Sequence, residues 1–385
     1  MVDHGPGNDF PFGLKKPDGS AHLTSDTSAP RVGSWTHALY VNEGAANVVF
    51  KAILPRGKHE KPDQKDQTNQ DAITRYLIRV PKKARAPNKS VYTAKEQSLL
   101  FQKIITPLFQ NKREMLLDQK LVEVPDATVT NLATELSSLD RNGQKRPPKF
   151  RRDEIQPSNV IMLVEDMRPR NDDEHTIEFK PKWLAQSPSA PRDANTCRCC
   201  AFASRKYHEA GDSRERKYSP DEYPCPLWLD PDLETPQGKD KIRSTAIQRH
   251  MNGDKHHAHL YKLVQRSGIL TDLKRRQIDF DRTGPMKADA NVSRGEGDFK
   301  ASELDRLGLA MTLRDCSLFV RYREGPPDSE GRRRVHEPSH EVKLADLDLK
   351  NVQWKIHEWR AKEQALIQGQ WYVGRGRMTN CALWR

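Results

Sequence analysis

The sequence predicts an α+β protein of two lobes, divided near residue 166. Short apolar segments with strand character, such as 76–80 and 158–164, alternate with helical patterns such as 93–108. The chain has 385 residues, enough for two domains or one large bilobal domain. The run 158–164 leads into a short acidic connector, Glu165-Asp166-Met167, and another strand follows, so we place the division there. The expected parts are a flexible N-terminal tail at 1–33, an N-terminal lobe at 34–166 and a C-terminal lobe at 167–385.

Charge and composition restrict the class of partner. The chain has 65 basic and 53 acidic residues, a formal net charge of +12, which favours nucleic acid, an acidic membrane surface or a small polyphosphate. Its 35% hydrophobic and 31% charged residues predict long polar loops beside the core. No run approaches the ~20 apolar residues of a membrane span, and the N-terminus lacks the apolar core of a secretory signal. We expect an intracellular protein.

Two segments of the N-terminal lobe have the character of phosphate-binding elements. The turn Glu43-Gly44-Ala45-Ala46-Asn47 joins two apolar strands and has little side-chain bulk, so backbone N–H groups can approach a ligand. Arg79 lies on the next strand, where kinase-like folds place a basic residue on the nucleotide phosphates. A plain hairpin and a solvated arginine would look the same. A capping box at Thr93 and Glu96 then opens a helix.

The segment Thr176–Lys182 has the apolar content of a strand, and Pro181 argues against a helix. Side chains at i and i+2 of a strand leave the same face, so Lys180 and Lys182 would stand roughly 7 Å apart. At an effective dielectric of ~20 they would repel by ~2 kcal/mol. Such a pair is either solvated at a sheet edge or holds a polyanion, and these residues alone leave both possibilities open.

Carboxylates near the C-terminus are candidates for chemistry. Asp315 lies inside the apolar run 311–320, where a carboxylate needs a partner or a chemical role. The alternation in Val342–Lys350 predicts a strand with Asp346 and Asp348 on one face, and paired carboxylates at a strand end are how kinases hold Mg²⁺. A structural hydrogen bond at Asp315 and an exposed edge strand are the alternatives.

The six cysteines are a poor layout for a disulfide framework, because Cys197, Cys199 and Cys200 lie within four residues. Cys197 and Cys200 form one C-x-x-C pair, and Cys225 and His208 could complete four ligands, but no second pair follows. We expect no structural zinc.

Four segments, in this order, resemble the inositol-pentakisphosphate 2-kinase family, especially its fungal members. They are Glu43–Asn47, Glu178-Phe-Lys-Pro-Lys182, Arg314-Asp-Cys-Ser317 and Asp346-Leu-Asp-Leu-Lys350. The family patterns are G-E-G-A-A-N, E-I-K-P-K, K-D-C-S and D-L-D-L-K, of which the last three are specific. Trp371–Gly374 also resembles the fungal C-terminal signature.

The resemblance implies an ATP-dependent kinase that phosphorylates the axial 2-hydroxyl of inositol 1,3,4,5,6-pentakisphosphate to give inositol hexakisphosphate (phytate). It implies ATP and Mg²⁺ as cofactors and a bilobal fold distantly like protein kinases, with a small N-terminal lobe around an antiparallel sheet. We expect a monomer in the nucleus or the cytoplasm, without a membrane or nucleic-acid partner.

The same resemblance assigns expected roles. Asp315 matches the general base on the 2-hydroxyl and Asp346 the Mg²⁺ ligand. The nucleotide contacts are matched by Glu43, Gly44, Ala45, Ala46, Asn47 and Arg79, and by Glu165, Asp166 and Met167 at a hinge whose backbone reads adenine. The substrate-phosphate contacts are matched by Arg151 (or its neighbour Arg152), Lys180, Lys182, Arg198, Lys206, Lys350 and Lys355.

Departures from the family leave rival hypotheses. Phe202 stands where some members have a substrate-contacting histidine, and the N-N-x-R substrate element is not located, although the diverged region 241–255 should hold it. One rival is a kinase of a different inositol polyphosphate, and another is a catalytically inactive scaffold. A third is a basic RNA-binding protein, suggested by the charge and by the run 145–152, although RNP-type aromatics and a zinc finger are lacking.

Overall fold

The computed structural model describes residues 10–15, 17, 37–53, 74–85, 91–141, 146–211, 219–331, 333–374 and 378–384. The chain divides into two compact units, Lys15–Asp166 and Met167–Arg385 together with Met1–Leu14. Most of the predicted tail, 1–33, lies outside the described residues. Within that tail, Phe10 is buried and the Phe12 amide donates to Asp305 of the larger unit (3.4 Å), so these residues are packed. The functional division into lobes stays a prediction.

A five-stranded antiparallel sheet forms the centre of the smaller unit. Its members are β1 (His37–Glu43), β2 (Asn47–Ile53), β3 (Tyr76–Pro81), β4 (Gln119–Glu123) and β5 (Val160–Glu165), arranged in the order β1-β2-β3-β5-β4. Phe50, Ile78 and Ile161 are almost fully buried and lie in its core. The turn between β1 and β2 is the one predicted to bind phosphate.

Two helices accompany this sheet. Helix α1 (Ala94–Leu100) begins at the predicted capping box, where Thr93 Oγ1 accepts from the Glu96 amide (3.2 Å) and the Thr93 amide donates to the Glu96 carboxylate (2.7 Å). It continues through a π-helical turn at 101–105 into a last turn containing Pro107. A proline lacks the amide that a regular helix requires, which accounts for the irregular turn. Helix α2 (Asp126–Arg141) packs its apolar side against the sheet.

The main sheet of the larger unit brings three chain segments to one end. In the described ranges this unit has five strands, of which the first and the last two form this sheet: β6 (Glu174–Phe179), β7 (Ser293–Arg294), β8 (Ala301–Ser302), β9 (Ser317–Glu324) and β10 (Val335–Ala345). Strand β9 lies between β6 and β10, antiparallel to both, while β7 and β8 pair separately. Phe179 pairs with Leu318 and Ala345 with Ser317. The residues after β6, before β9 and after β10 therefore lie together.

The larger unit also contains helices. They are α3 (Arg198–Glu209), α4 (Asp240–His250), α5 (His257–Arg266), α6 (Ile269–Phe280), α7 (Glu303–Leu313) and α8 (Val352–Gln368). Helix α7 leads directly to Asp315 and packs on α8 through Leu307, Val352 and Trp359. Within the described ranges, no helix has both the length and the apolar character of a membrane span.

The α+β class is confirmed, but two predicted strands are too long. Strand β6 ends at Phe179, so neither Lys180 nor Lys182 is in the sheet, and β10 ends at Ala345, before Asp346. The physical reason is a left-handed backbone at Lys182 (φ 59°) and Asp346 (φ 54°), which turns the chain out of the extended conformation.

Candidate active site

Three lysines of the larger unit converge on the carboxylate of Asp315. Its Oδ1 lies 3.0 Å from Lys182 Nζ and 3.7 Å from Lys180 Nζ, and its Oδ2 lies 3.0 Å from Lys350 Nζ. Lys180 Nζ also donates to Asp346 Oδ2 (2.5 Å) and to the Asp315 carbonyl (2.6 Å). These five side chains keep 26–43% of their surface exposed, so a ligand can reach them. We call them the Asp315 cluster.

Two members of the Asp315 cluster have a backbone conformation that is unfavourable for them. Lys182 and Asp346 are left-handed, which costs roughly 1–2 kcal/mol for a residue with a Cβ. Such conformations persist where the surrounding structure fixes them, and they concentrate at functional sites. At Lys182 the backbone carbonyl accepts a hydrogen bond from Gln277 Nε2 (2.9 Å), which holds the turn.

Gln277 of α6 connects the two sides of the Asp315 cluster. It is fully buried, and its Nε2 also donates to the carbonyl of Leu313 (3.2 Å), two residues before Asp315. Its Oε1 accepts from the amide of Leu184 (3.0 Å), two residues after Lys182. One side chain thus positions both segments. The sequence analysis did not identify Gln277, because its only signal in the sequence is a single amide side chain in an otherwise amphipathic helix.

Two motif residues without an assigned role join β6 to β9 beside the Asp315 cluster. Ser317 Oγ donates to Glu178 Oε1 (2.7 Å), which links the E-x-K-P-K and D-C-S motifs directly. The carbonyl of Glu178 accepts from Asn252 Nδ2 (3.0 Å). Asn252 is the one asparagine in the region 241–255, where the missing substrate element was expected. Its observed contact supports the end of β6.

The charges of the Asp315 cluster shift the pKa values of Asp315 and Lys180. Burial on its own raises the pKa of Asp315, but the ammonium groups of Lys350, Lys182 and Lys180 outweigh it and hold the pKa far below its usual range. Burial lowers the pKa of Lys180, whereas Asp346 and then Asp315 raise it, with a net increase. Three ammonium groups and two carboxylates leave a net charge of +1.

Asp346 offers a partly exposed carboxylate to a hard divalent cation. Its side chain is 43% exposed, and magnesium takes one or two carboxylate oxygens while it keeps several waters. This donor fits the predicted metal role. Asp348 was expected to share its face, but the strand that would align the two is not formed, and the Asp348 carbonyl accepts from Thr312 Oγ1 (3.3 Å).

The other substrate residues predicted in this unit lie outside the Asp315 cluster. Arg198 begins α3, is buried, and donates from Nε to Glu363 (2.8 Å). Lys206 is exposed, with Nζ 4.8 Å from the centroid of the Phe202 ring. Lys355 is exposed and pairs with Glu358 (2.9 Å). Among the described residues, no contact joins these three side chains to Asp315 or Asp346, and their substrate roles stay predictions.

In the smaller unit, Glu43 is part of a buried ion-pair network. Its Oε2 lies 2.5 Å from Lys82 Nζ and its Oε1 lies 2.8 Å from Arg146 Nε, and Lys82 also pairs with Asp153 (3.1 Å). The side chains of Glu43, Lys82 and Arg146 are at most 1% exposed. The Glu43 carboxylate is therefore occupied by structural partners and fixes the turn, and a nucleotide contact by Glu43 stays a prediction.

The rest of the turn is also held by local contacts. The Gly44 amide donates to the Asn47 carbonyl (2.9 Å), and the Ala46 carbonyl accepts from the Lys82 amide (2.8 Å). Asn47 is buried, and its Oδ1 accepts from Gln97 Nε2 (3.2 Å). Nucleotide contacts by Ala45 and its neighbours in this turn stay predictions.

The remaining residues predicted to bind the nucleotide lie on β3 and at the hinge, residues 165–167. Arg79 is half-buried on β3, between Val49 and Met162 on the adjacent strands. At the hinge, the Asp166 amide already donates to the Arg75 carbonyl (2.8 Å), so this amide is not available to a base.

Other hinge groups have partners of their own. The Asp166 carboxylate pairs with Lys51 (3.2 Å). The Glu165 carboxylate accepts a hydrogen bond from the Asp118 amide (3.3 Å). The Met167 carbonyl accepts one from Thr176 Oγ1 (2.6 Å). A carbonyl can accept a second hydrogen bond, so adenine recognition by the remaining backbone groups stays a prediction. Arg151 is exposed beyond the short turn 148–150.

Comparison with known proteins decides the family. Residues 40–365 match the family model described as inositol-pentakisphosphate 2-kinase, which is well over half of the chain. The chain belongs to the inositol-pentakisphosphate 2-kinase family. A curated inositol-pentakisphosphate 2-kinase from Yarrowia lipolytica (strain CLIB 122 / E 150) is 30% identical over 266 residues, 68% of this chain and 73% of that protein. The protein is therefore an enzyme of inositol phosphate metabolism.

The cysteines of this family member differ from the sequence expectation. Cys197, Cys200 and Cys225 do converge, but the fourth group beside them is Cys381. His208, which was considered as a fourth ligand, instead packs against the Trp371 ring (5.3 Å between centroids). No spacing rule connects Cys381 with Cys197, 184 positions earlier, so the sequence did not reveal the cluster.

Proposed function

We propose that this chain transfers the γ-phosphoryl group of ATP to the 2-hydroxyl of inositol 1,3,4,5,6-pentakisphosphate and forms inositol hexakisphosphate. The observation that carries this proposal is the convergence of Lys180, Lys182 and Lys350 on Asp315, with Asp346 beside them. Several cations at one open position suit a small polyphosphate, and an ionised carboxylate among them suits a hydroxyl acceptor.

The lysines bind substrate phosphates by exchanging partners. In the free enzyme two carboxylates balance two of the three positive charges, and paired ammonium groups cost less to keep in half-exposed positions than unpaired ones would. Phosphates carry more charge than a carboxylate and compete for the same ammonium groups. Five phosphates exceed the capacity of three lysines, so further cations are needed. We assign this role to Arg151, Arg198, Lys206 and Lys355.

Asp315 orients the 2-hydroxyl and accepts its proton. The pKa of this carboxyl is so low in the free enzyme that it would be a weak base. Phosphates that draw Lys182 and Lys350 away from it allow the pKa to rise when substrate binds. Phosphoryl transfer also requires little bond formation to the nucleophile in a loose transition state, so positioning of the hydroxyl contributes more than basicity.

Asp346 is the residue that we propose to hold Mg²⁺, which when bound neutralises charge on the transferred phosphoryl group. The nucleotide is assigned to the smaller unit, with the turn around Gly44–Asn47 and Arg79 near its phosphates and the 165–167 hinge near its base. We propose a monomeric enzyme with a bilobal fold distantly like protein kinases, located in the nucleus or the cytoplasm.

Product analysis tests the proposal. The chain is incubated with ATP, Mg²⁺ and inositol 1,3,4,5,6-pentakisphosphate, the product is separated by anion-exchange chromatography, and the position of the new phosphate is determined by NMR. We expect hexakisphosphate from the wild type, and its formation should be at least about 10²-fold slower with Asp315→Asn. A pentakisphosphate isomer that lacks a different phosphate serves as the specificity control, and faster turnover of that isomer would contradict the assigned hydroxyl.

A binding competition addresses the RNA-binding alternative. Labelled RNA is titrated with the wild type and with Lys180→Ala, with and without saturating inositol pentakisphosphate. Tight RNA binding that survives both the substitution and the competitor would remove the main support for a phosphate site at Lys180.

A further inference from the structure

The ring of Trp183 contacts two arginine side chains that come from other segments of the larger unit. The guanidinium carbon of Arg314 lies 3.6 Å from the ring centroid, and that of Arg198 lies 4.4 Å from it. Trp183 itself is only 5% exposed. A cation within about 6 Å of an indole face is attracted by the electron density of the ring, most strongly where water is excluded. The indole therefore stabilises both guanidinium groups in their positions.

This ring connects Arg198 with the Asp315 cluster. Trp183 directly follows Lys182, and Arg314 directly precedes Asp315, so the contact between ring and guanidinium joins the two motifs that supply the cluster. Arg198 makes no hydrogen bond or ion pair with the cluster in the described ranges, yet it lies on the same ring. The position of Arg198 relative to Asp315 is thus set through the indole.

Arg314 anchors the ring from the protein interior. It is 4% exposed, its Nη1 donates to the Asp281 carboxylate (2.6 Å), and its Nη2 donates to the Gln277 carbonyl (3.3 Å). Its Nε has no hydrogen-bond partner in the part of the chain that the structure describes. The contact with Trp183 is therefore a substantial part of what surrounds this guanidinium, and an anchored group against the ring restricts the movement of the ring.

Arg198 is held by two contacts that leave its terminal donors unused. Its Nε donates to Glu363 (2.8 Å), a fully buried carboxylate that also accepts from the Tyr372 hydroxyl (2.5 Å) and from Ser187 Oγ (2.8 Å). The Nη groups of Arg198 make no hydrogen bond to any described residue, and the side chain keeps 9% of its surface exposed. A guanidinium carries its N–H donors in a rigid plane that suits phosphate oxygens. The Nη donors are thus the ones that remain for a ligand.

We propose that Trp183 is a positioning residue for substrate binding, which acts by holding Arg198 ready for a substrate phosphate. The inference rests on the proposed function, because it assumes the polyphosphate substrate and the phosphate role assigned to Arg198. With Nε paired and the guanidinium against the ring, the Nη donors are ordered before the substrate arrives, so binding loses less side-chain entropy.

The simplest competing explanation is that Trp183 is an ordinary core residue, since it lies in one apolar cluster with Trp228. The two explanations depend on different properties of the ring. Core packing depends on shape and apolar surface, whereas the attraction of a cation depends on the electron density of the ring face. Fluorine atoms on the ring withdraw this density and change the shape little. A series of fluorinated tryptophans at position 183 therefore separates the two explanations.

The experiment places tryptophan with zero, one, two or three ring fluorines at position 183 of the full chain by nonsense suppression. Calorimetric titration without nucleotide measures the dissociation constant for inositol pentakisphosphate. We expect this constant to rise with each fluorine, by about three- to tenfold over the series. The KM for ATP and the melting temperature should stay close to those of the wild type.

Two controls accompany the series. Trp228 is a fully buried indole of the same cluster, and its Nε1 donates to the Asn380 carbonyl (2.8 Å). The same fluorinated residues at position 228 should leave the dissociation constant unchanged. In Arg198→Gln, which has no cation at this position to interact with the ring, the series at position 183 should have no effect on substrate binding.

Three results would each overturn the role of Trp183. A dissociation constant that is the same throughout the series at position 183 would indicate a core residue, and equal responses at positions 183 and 228 would indicate an unspecific effect of fluorine. An undiminished response in Arg198→Gln would show that the ring does not act through Arg198. If that variant does not fold, the comparison of positions 183 and 228 in the otherwise unchanged chain decides.

Failure of this inference is distinguishable from failure of the proposed function. If the wild type forms inositol hexakisphosphate and the series at position 183 has no effect, only the role of Trp183 is refuted. A wild type that does not bind inositol pentakisphosphate would contradict the proposed function and this inference together.

Discussion

Replacing Asp315 by asparagine should strengthen the binding of inositol pentakisphosphate and slow its turnover. The substitution keeps the shape of the side chain and removes its negative charge. The wild-type carboxylate attracts Lys182 and Lys350, each at 3.0 Å, and Lys180 at 3.7 Å, and it therefore competes with substrate phosphates for all three. Asparagine cannot compete in this way, so the lysines remain fully available.

The magnitude follows from the exposure of the pairs. A half-exposed ion pair contributes up to about 1 kcal/mol, and the three pairs share one carboxylate, so about 1–2 kcal/mol of competition disappears. Inositol pentakisphosphate should then bind roughly 5–30-fold more tightly to Asp315→Asn. Turnover should fall by about 10²–10⁴-fold, the usual contribution of a positioned general base.

The assay combines calorimetric titration with inositol pentakisphosphate in the absence of nucleotide and single-turnover kinetics with ATP. Asp232→Asn is the control for net charge, because Asp232 is an exposed carboxylate of the same unit that pairs with Lys274 (3.5 Å). Turnover close to that of the wild type would refute the role of Asp315 in the reaction. Weaker substrate binding by Asp315→Asn, at equal thermal stability, would refute the competition between the carboxylate and the phosphates.

Three further variants test the site and its supports. Lys182→Ala should raise the KM for inositol pentakisphosphate by about 10–100-fold through loss of a charge-assisted contact, with the KM for ATP unchanged; an unaltered KM for the inositol phosphate would contradict the phosphate role. Gln277→Leu should lower the free energy of unfolding by about 2–4 kcal/mol, measured in denaturant, because buried backbone groups lose their partner; unchanged stability would refute the positioning role. Glu43→Gln should cost about 3–5 kcal/mol, since Lys82 and Arg146 are left buried without their anion. Burial raises the pKa of Glu43, but Arg146 and Lys82 hold it below 4.5, so its contribution is present above pH 4.5 and is lost as the pH falls through the folded-state pKa; a wild type and a Glu43→Gln variant with equal acid sensitivity would refute this.

The residues of the Asp315 cluster could be predicted from the sequence because each lies beside a strand end within a short motif. Lys180 follows β6, Asp315 precedes β9 and Asp346 follows β10. Local patterns identify such strands well, and antiparallel pairing then places their ends together. The strand limits could not be predicted, because a left-handed lysine or aspartate has no sequence signal comparable to that of glycine.

The partners that support these residues were not predictable, because they depend on distant contacts. Lys82 and Arg146 look like ordinary surface cations in the sequence, and only the fold shows that they are buried against Glu43. Cys381 likewise gains its partners through tertiary structure. A single sequence reports on local periodicity and spacing, but it does not report on which charges or thiols the fold encloses.

In the D-L-D-L-K segment, the alternating pattern correctly predicts which side chains are buried, but it wrongly predicts a strand. Leu347 and Leu349 are buried, while Asp346 and Lys350 reach the Asp315 cluster, which is the separation that the alternation predicts. The segment is not a strand, because side-chain and close backbone contacts from α7 replace a β-ladder. The Lys350 amide donates to Thr312 Oγ1 (2.9 Å).

The same helix also approaches this segment closely at a glycine. A methyl group on Gly308 of α7 would lie 3.1 Å from the Lys350 carbonyl oxygen, which is tighter than an ordinary contact, so a glycine here lets the helix lie this near without displacing the segment. The burial of Leu347 and Leu349 determines which side chains point outward. The contacts with α7 determine the position of the backbone that carries those outward side chains. The alternation therefore presents Asp346 and Lys350 on one side of an anchored loop, and an extended strand is not needed for that arrangement.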